Sequence, residues 1–257
     1  FFLLCSTLVY RLFDLQIVNG EDYLNNFRLK IVRERSLPST RGNIYDCNGN
    51  LLAYNELAYN ITIEDVYESG SDKNAQLNDT IYRLIQLIEK SGDNVISDFN
   101  IRVNEDGEYV YTVEGTKLQR FLADIYGKVY ISDLEYEEKT ATPDEVVEYL
   151  CGRKKYGIGY YEEPGVSSSF VPGGGYSKEE IIQIITIRYA MSLNGYQKYI
   201  ATTVAADVSE ETLAVVIENS DVLPGVSVAQ DTIRKYNDAV YFSQIIGYTG
   251  KISTEEY

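Results

Sequence analysis

Residues 35–53 have the sequence RSLPSTRGNIYDCNGNLLA, and this stretch decides the fold at the start of the chain. It predicts a proline-stiffened approach to a tight β-hairpin. Pro38 fixes its own φ, and Gly42 can adopt a positive φ without steric cost. Asn48-Gly49 is the strongest short-range signal for a two-residue type I′ turn, because both central residues of that turn need a positive φ.

The residues on either side of this turn complete the predicted hairpin. Short apolar runs at 44–45 and 51–53 are expected to be its paired strands. Arg41 and Asp46 carry opposite charges near the neck of the hairpin, so we expect that they can pair. On the turn alone, any hairpin with an ion pair would fit this pattern.

Outside the hairpin, the sequence alternates between helical and strand patterns. Apolar side chains at helical spacing, with caps at Thr142 and Ser177, predict helices over residues 76–90, 117–126, 142–151, 177–193 and 209–218. Alternating apolar positions predict strands over 58–63, 99–103, 109–113, 199–205 and 226–236. Residues 152–175 lack periodicity and are predicted to form a long loop. Helices and hairpins interspersed in this way indicate the α+β class.

The chain opens with an apolar-leaning segment, Phe1 to Tyr10, that is interrupted by Arg11 and Asp14. Such a segment is too short to cross a bilayer, which takes about 20 residues. Leucines at positions 4, 8, 12 and 15 continue a helical stripe. Two interpretations fit: an amphipathic core helix, or the outer end of a truncated membrane anchor that runs into a stalk. Periodicity alone favours the core helix.

Composition excludes several classes of function. The 257 residues include 39 acidic and 23 basic side chains, a net charge of −16, and no histidine. An acidic surface repels phosphate backbones and anionic lipid, which argues against nucleic-acid binding. Without histidine, Ser-His-Asp catalysis, Cys-His catalysis and imidazole metal sites are excluded. The three cysteines show no Cys-x-x-Cys spacing, so no zinc site is indicated, and a Cys47–Cys151 disulfide stays an open alternative.

Five residues of the hairpin block match a family signature. Arg41, Gly42, Ile44, Asp46 and Gly49 fit the pattern Arg-Gly-x-Ile-x-Asp-Arg-x-Gly. This pattern resembles the one near the membrane-proximal start of class B penicillin-binding proteins. The chain departs from it at one position, where a cysteine replaces the second arginine and removes a charge.

Three blocks in the last third of the chain continue the resemblance in the family's order. They are Leu-Pro-Gly-Val at 223–226, Arg-Lys-Tyr at 234–236, and Ile-Ile-Gly-Tyr-Thr-Gly-Lys-Ile-Ser-Thr-Glu-Glu at 245–256. Residues 66–175 match no family pattern and are interpreted as a variable insert region. The residues to which the resemblance gives structural or partner-contact roles are Arg41, Gly42, Asp46, Gly49, Gly225, Arg234, Tyr236, Gly247 and Gly250.

The resemblance implies a non-catalytic pedestal, or dimerisation, domain of a peptidoglycan transpeptidase on the outer face of a bacterial cell membrane. Residues 1–18 would be the outer end of a single membrane anchor, and residues 19–257 the pedestal. The implied partners are the protein's own transpeptidase domain and a glycan polymerase of the shape, elongation, division and sporulation type. A homodimer is left open as a further partner. No cofactor and no metal are implied.

The catalytic elements of the parent family are missing from this sequence. No serine is followed three residues later by lysine, and no Lys-Thr-Gly occurs. Ser192-Leu193-Asn194 matches the Ser-x-Asn element by spelling alone. We therefore predict that this chain is not an enzyme, has no catalytic residue and does not bind penicillin covalently.

Two other functions compete with the pedestal. The tyrosines Tyr156, Tyr160 and Tyr161 suggest a free-standing extracellular module that binds glycans or peptides. A glycosidase would need only two suitably spaced carboxylates, and 39 acidic residues offer many pairs, but none lies in a recognisable motif.

Overall fold

The computed structural model describes residues 2–19, 40–163, 169–194 and 200–237, together with residues 240, 244, 245 and 247. The chain divides into two compact units, residues 1–41 and 42–257. Helices and antiparallel strands are mixed throughout the second unit, which confirms the α+β prediction.

The described part of the first unit is a single helical segment. Helix α1 (Phe2–Phe13) passes into a π-helical turn (Asp14–Val18), where Arg11 pairs with Asp14 at 2.8 Å. Within this described segment no residue is buried. The choice between a core helix and the outer end of a membrane anchor stays a prediction. None of the described helices is both long enough and apolar enough to cross a membrane.

The main sheet of the second unit is built around one long strand, β2 (Leu51–Ile63). Strands β1 (Ile44–Tyr45) and β7 (Thr202–Ala205) pair antiparallel with opposite ends of one edge of β2. Strand β8 (Val226–Tyr236) pairs antiparallel with the other edge, from Ala53–Tyr236 to Ile63–Val226, without a register shift. The predicted strand over 58–63 therefore begins earlier, and it is continuous with the second strand of the predicted hairpin.

Six helices of the second unit are described, and most agree with the prediction. They are α2 (Lys73–Lys90), α3 (Gly115–Tyr126), α4 (Tyr136–Lys139), α5 (Pro143–Cys151), α6 (Lys178–Leu193) and α7 (Glu210–Glu218). Short 3-10 turns cover Ile131–Asp133 and Ser220–Val222. Capping boxes at Thr142 and Ser177 begin α5 and α6, as the sequence predicts.

One hydrophobic core joins the helices to the far end of the sheet. Ile61 and Ile63 of β2 are fully buried against apolar side chains from α2, α3, α5, α6 and β7. In α2 the buried positions include Leu77, Ile81, Leu84, Ile85 and Ile88, the stripe predicted from the sequence. The core therefore surrounds the C-terminal half of β2.

Two small hairpins complete the unit. The predicted hairpin consists of β3 (Ile101–Val103) and β4 (Tyr109–Tyr111). A second one, β5 (Gly159–Tyr161) with β6 (Phe170–Pro172), lies within residues 152–175. The prediction of an irregular loop there is wrong in this part. Three-residue strands that contain glycine and proline are too short to show a period of two.

Candidate partner-contact site on the β2–β8 ribbon

The hairpin between β1 and β2 turns through a five-residue loop, Asp46 to Asn50. The Asp46 N–H donates to the Asn50 carbonyl at 2.9 Å, and the Gly49 N–H donates to the Asp46 carbonyl at 3.1 Å. Gly49 has a φ of 85°, but among the described non-glycine residues only Asp207 has a positive φ. Asn48 therefore cannot lie in a type I′ turn. The turn is of type I with Gly49 in the left-handed position that follows, and the type I′ prediction is wrong.

The Asp46 carboxylate holds this loop together. Its Oδ1 accepts the backbone N–H groups of Asn48 at 2.8 Å and of Asn50 at 2.7 Å. Its Oδ2 accepts the side-chain amide of Asn50 at 2.7 Å. The side-chain bond from Asn50 and these backbone N–H groups lower the pKa of Asp46, because they stabilise the ionised form. An aspartate that can bond the loop in this way favours type I over the mirror-image turn.

The loop between β3 and β4 repeats the same arrangement with asparagine in place of Asp46. Asn104 Oδ1 accepts the N–H groups of Asp106 at 3.0 Å and Glu108 at 2.8 Å, and the Gly107 N–H donates to the Asn104 carbonyl at 3.0 Å. A neutral amide oxygen is thus sufficient for the geometry. The charge of Asp46 is not what shapes the turn.

We expect Asp46→Ala to lower the Tm measurably and Asp46→Asn to retain most of it, because only alanine removes the oxygen that accepts both N–H groups. The folded pKa of Asp46 is lowered, so its charge stabilises the fold above the ordinary aspartate pKa, and this contribution disappears as pH falls through the lowered value. Thermal unfolding between pH 7 and pH 3 measures both effects. Equal losses for the two variants at neutral pH would contradict this role.

Arg234 joins its own block to the first signature block, since it bonds Gly42, which lies 192 residues away in sequence. Its Nη1 donates to the Gly42 carbonyl at 2.7 Å and to Asn55 Oδ1 at 3.1 Å. The neighbouring Tyr236 lies opposite Ala53 in the β2–β8 ladder. The side chain of Asn237 closes the same end by donating to the Leu51 carbonyl at 2.8 Å. We name this end of the sheet, residues 42–57 with 232–237, the ribbon.

The structure gives different reasons for the predicted glycines. A Cβ on Gly225, whose φ is +83°, would lie 2.4 Å from the Glu64 carbonyl oxygen. Gly49 and Gly247 have a positive φ, but no atom lies within 4 Å of the position that a Cβ would take, so only their backbone conformation favours glycine. Gly42 has neither a positive φ nor a close neighbour, so the conformational role predicted for it is wrong.

Two of the predicted features stay untested. Gly250 lies outside the described residues. The pairing of Arg41 with Asp46 stays a prediction, since Arg41 belongs to the first unit and Asp46 to the second. The side chains of three further residues bond the ribbon without having been predicted: Asn50, Asn55 and Asn237. An Asp-x-Asn-Gly-Asn loop sequence could have revealed Asn50, but no local signal identifies the other two.

The three tyrosines of the competing hypothesis do not form a common platform. Tyr156 is half-buried, and the Arg188 guanidinium lies over its ring at 5.3 Å. Tyr160 and Tyr161 are adjacent in β5 and so point to opposite faces of the strand. Tyr161 packs edge-on against Phe170.

The cysteines and acidic residues form no further site in the described ranges. All three cysteines are free thiols, so the Cys47–Cys151 alternative is not formed. Burial raises the pKa of Cys151 to about 12, which keeps its thiol protonated. No group of three or more potential metal ligands occurs among the described residues.

Comparison with known proteins identifies the family of the chain. The family model described as the penicillin-binding protein dimerisation domain matches residues 36–257, a range that contains all four sequence blocks and the whole second unit from Gly42 onward. The chain belongs to this family. The match confirms the resemblance seen in the sequence. No curated protein is detectably similar in sequence.

Solved structures of penicillin-binding protein 2B from two strains of Streptococcus pneumoniae are similar to the chain. One is 22% identical over 85% of this chain with a TM-score of 0.42, and the other is 19% identical over 82% with a TM-score of 0.35. The chain covers only 29% and 27% of the two relatives. Their full length is thus more than three times the matched part.

Proposed function

We propose that the chain is the non-catalytic, membrane-proximal pedestal of a peptidoglycan transpeptidase, which positions the catalytic domain and contacts a glycan polymerase in cell-wall synthesis. The observation that carries this proposal is the Arg234 junction. It ties two of the four blocks that resemble the family together in the ribbon, at one end of the long β2–β8 ladder. Both blocks therefore stabilise the same end of the β2–β8 ladder.

The shape of this element suits a spacer. Strands β2 and β8 pair over 11 residues, which corresponds to about 36 Å of antiparallel ladder. One end is anchored in the hydrophobic core through Ile61 and Ile63, and the other end is closed by Arg234 and Asn237. A ladder fixed at both ends transmits position between its ends better than a flexible linker does.

The absence of catalytic motifs predicts how the chain reacts with penicillin. We expect that fluorescent penicillin does not label the 257-residue chain, whereas it labels a protein translated from the native gene beyond Tyr257. Gel fluorescence after labelling measures this difference. Labelling of the 257-residue chain, or a stop codon soon after Tyr257, would contradict the proposal and favour a free-standing binding module.

The ribbon also exposes apolar side chains that a partner could cover. Ile44 is 41% exposed, Tyr45 56% and Leu57 54%. Exposed apolar residues grouped at one end of an element are typical of interaction sites. These three residues lie on β1 and β2, the two strands of the hairpin whose turn belongs to the first signature block.

We expect the double variant Tyr45→Glu/Leu57→Glu to reduce co-purification of the membrane-embedded glycan polymerase with the full-length parent protein by about tenfold or more, because both charges would be buried on binding. The matched control is Tyr136→Glu, which places a charge on an 81% exposed tyrosine of the insert region. Quantitative immunoblots of the co-purified polymerase measure the effect. Equal retention of the polymerase by both variants would place the contact elsewhere.

A further inference from the structure

Three buried side-chain atoms of the second unit have no hydrogen-bond partner among the described residues. They are Asp65 Oδ1, Asn78 Oδ1 and Arg188 Nη1. Asn78 is only 2% exposed, and the Asp65 side chain is 15% exposed. Folded proteins seldom leave buried polar atoms unpaired, because such atoms lose their hydrogen bonds to solvent and gain none in return. A single partner for all three atoms would remove this cost.

The three residues belong to one connected cluster around the first two turns of α2. Lys73 pairs with the other carboxylate oxygen of Asp65, and the adjacent Asn74 accepts a hydrogen bond from Arg188 Nη2 at 2.7 Å. Asn78 lies one turn after Asn74 and therefore on the same face of the helix. The nearby Asp65 carboxylate also raises the pKa of Arg188, against the effect of burial, so the two charges lie close together.

The loop after α5 fixes the orientation of the Asn78 amide. Asn78 Nδ2 donates to the Tyr156 carbonyl at 2.9 Å and to the Gly157 carbonyl at 3.0 Å. Both amide hydrogens are thus used, and a reversed amide would point its oxygen at two carbonyl oxygens. Asn78 Oδ1 is therefore an acceptor that this loop cannot satisfy.

We propose that these three atoms bind one internal water molecule, which donates to Asp65 Oδ1 and Asn78 Oδ1 and accepts from Arg188 Nη1. A water molecule has two hydrogens and two lone pairs, so it matches two acceptors and one donor. Buried waters in proteins typically make about three hydrogen bonds to polar groups of this kind. The water would join the segment that follows β2 to helices α2 and α6. This site goes beyond the pedestal role and does not depend on it.

The groups of the cluster favour water over other ligands. Arg188 and Lys73 would repel a cation, and an anion would face two oxygen atoms that only accept hydrogen bonds. A hydroxyl group has one hydrogen and could not donate to both oxygens. A direct ion pair between Arg188 and Asp65 would satisfy two of the atoms but would leave Asn78 Oδ1 unpaired. Of these candidates, only water satisfies all three atoms.

A crystal structure of the 257-residue chain, at a resolution that shows ordered waters, tests the site directly. We expect a density peak within hydrogen-bond distance of all three atoms. A peak bonded to fewer than three of them, a direct ion pair between Arg188 and Asp65, or an anomalous signal that identifies an ion would overturn the proposal.

Oxygen-17 relaxation dispersion tests the site in solution, because it counts waters that exchange slowly from the protein interior. Asn78→Leu removes one of the two acceptors, so we expect one long-lived water fewer than in the wild type. The matched control is Thr80→Val on the same helix, since the buried Thr80 hydroxyl already bonds the hydroxyl of Tyr67, and the count should not change. Equal counts for the wild type and Asn78→Leu would overturn the proposal. Circular dichroism checks that each variant is folded, and the wild-type crystal structure decides the question if Asn78→Leu is not.

Discussion

Gly225→Ala is expected to lower the free energy of unfolding by about 2–4 kcal/mol, because two penalties act at one position. The residue has a φ of +83°, which an L side chain rarely adopts, and the new Cβ would lie 2.4 Å from the Glu64 carbonyl oxygen. The Gly225 carbonyl accepts the Glu64 N–H at 2.9 Å. The two backbones are therefore held together at the turn where β8 begins, and neither can move away without losing that bond.

Gly49→Ala is the matched control for this prediction. Gly49 has a φ of +85°, almost the same as Gly225, but no atom lies within 4 Å of the position of its Cβ. Only the conformational penalty remains, about 1 kcal/mol. Urea unfolding of both variants followed by circular dichroism measures the difference. Equal losses would show that the backbone approach to Glu64 relaxes without cost.

The elements that the sequence predicts correctly are those whose signals are local. The buried stripe of α2 and the capping boxes of α5 and α6 agree with the prediction because spacing and caps act within a few residues. The hairpin of the first signature block is also correct in its strands. Its predicted turn type is wrong because the Asn-Gly pair does not act alone: the carboxylate of the aspartate two residues earlier bonds the loop.

The hydrogen bond between Arg234 and the Gly42 carbonyl could not be predicted from local sequence signals. Arg234 and Gly42 are 192 residues apart, and the bond between them depends on how β8 pairs with β2. The resemblance indicates that both residues matter, but not that they meet. The role of Gly42 is supplied by its carbonyl group, which every residue type has, so its side-chain identity carries no signal for this contact.

A half-buried arginine, Arg188, is a second feature without a local signal. Arg188 lies between Ile187 and Tyr189 of α6, and its sequence context predicts no role for it. The structure places its Nη2 2.7 Å from Asn74 Oδ1 on α2, and its guanidinium lies over the ring of Tyr156. Burial lowers its pKa, while the nearby Tyr156 and Asp65 act in the opposite direction. Its partners come from three separate segments of the chain.

Arg188→Ala is expected to lower the free energy of unfolding by about 3 kcal/mol, because it removes a half-buried guanidinium, whose Nη1 is fully buried, from half-buried partners that stay in place. Asp65, which also pairs with Lys73, would lose a compensating charge, and Asn74 would lose a donor to its side-chain oxygen. The variant would therefore weaken the contact between α2 and α6, and it would remove the guanidinium that packs on the Tyr156 ring. Urea unfolding at neutral pH measures the loss.

Two control variants separate this effect from a general effect of removing arginine. Arg83→Ala on α2 breaks an ion pair with Asp79 at 3.0 Å in which both side chains are more than half exposed, so we expect a loss of at most about 0.5 kcal/mol. Arg188→Lys keeps the charge but not the planar group that donates to Asn74 and covers Tyr156, so an intermediate loss is expected. If Arg188→Ala cost no more than Arg83→Ala, the arginine would not hold α2 to α6. The stability of the helical layer would then rest on the apolar core alone.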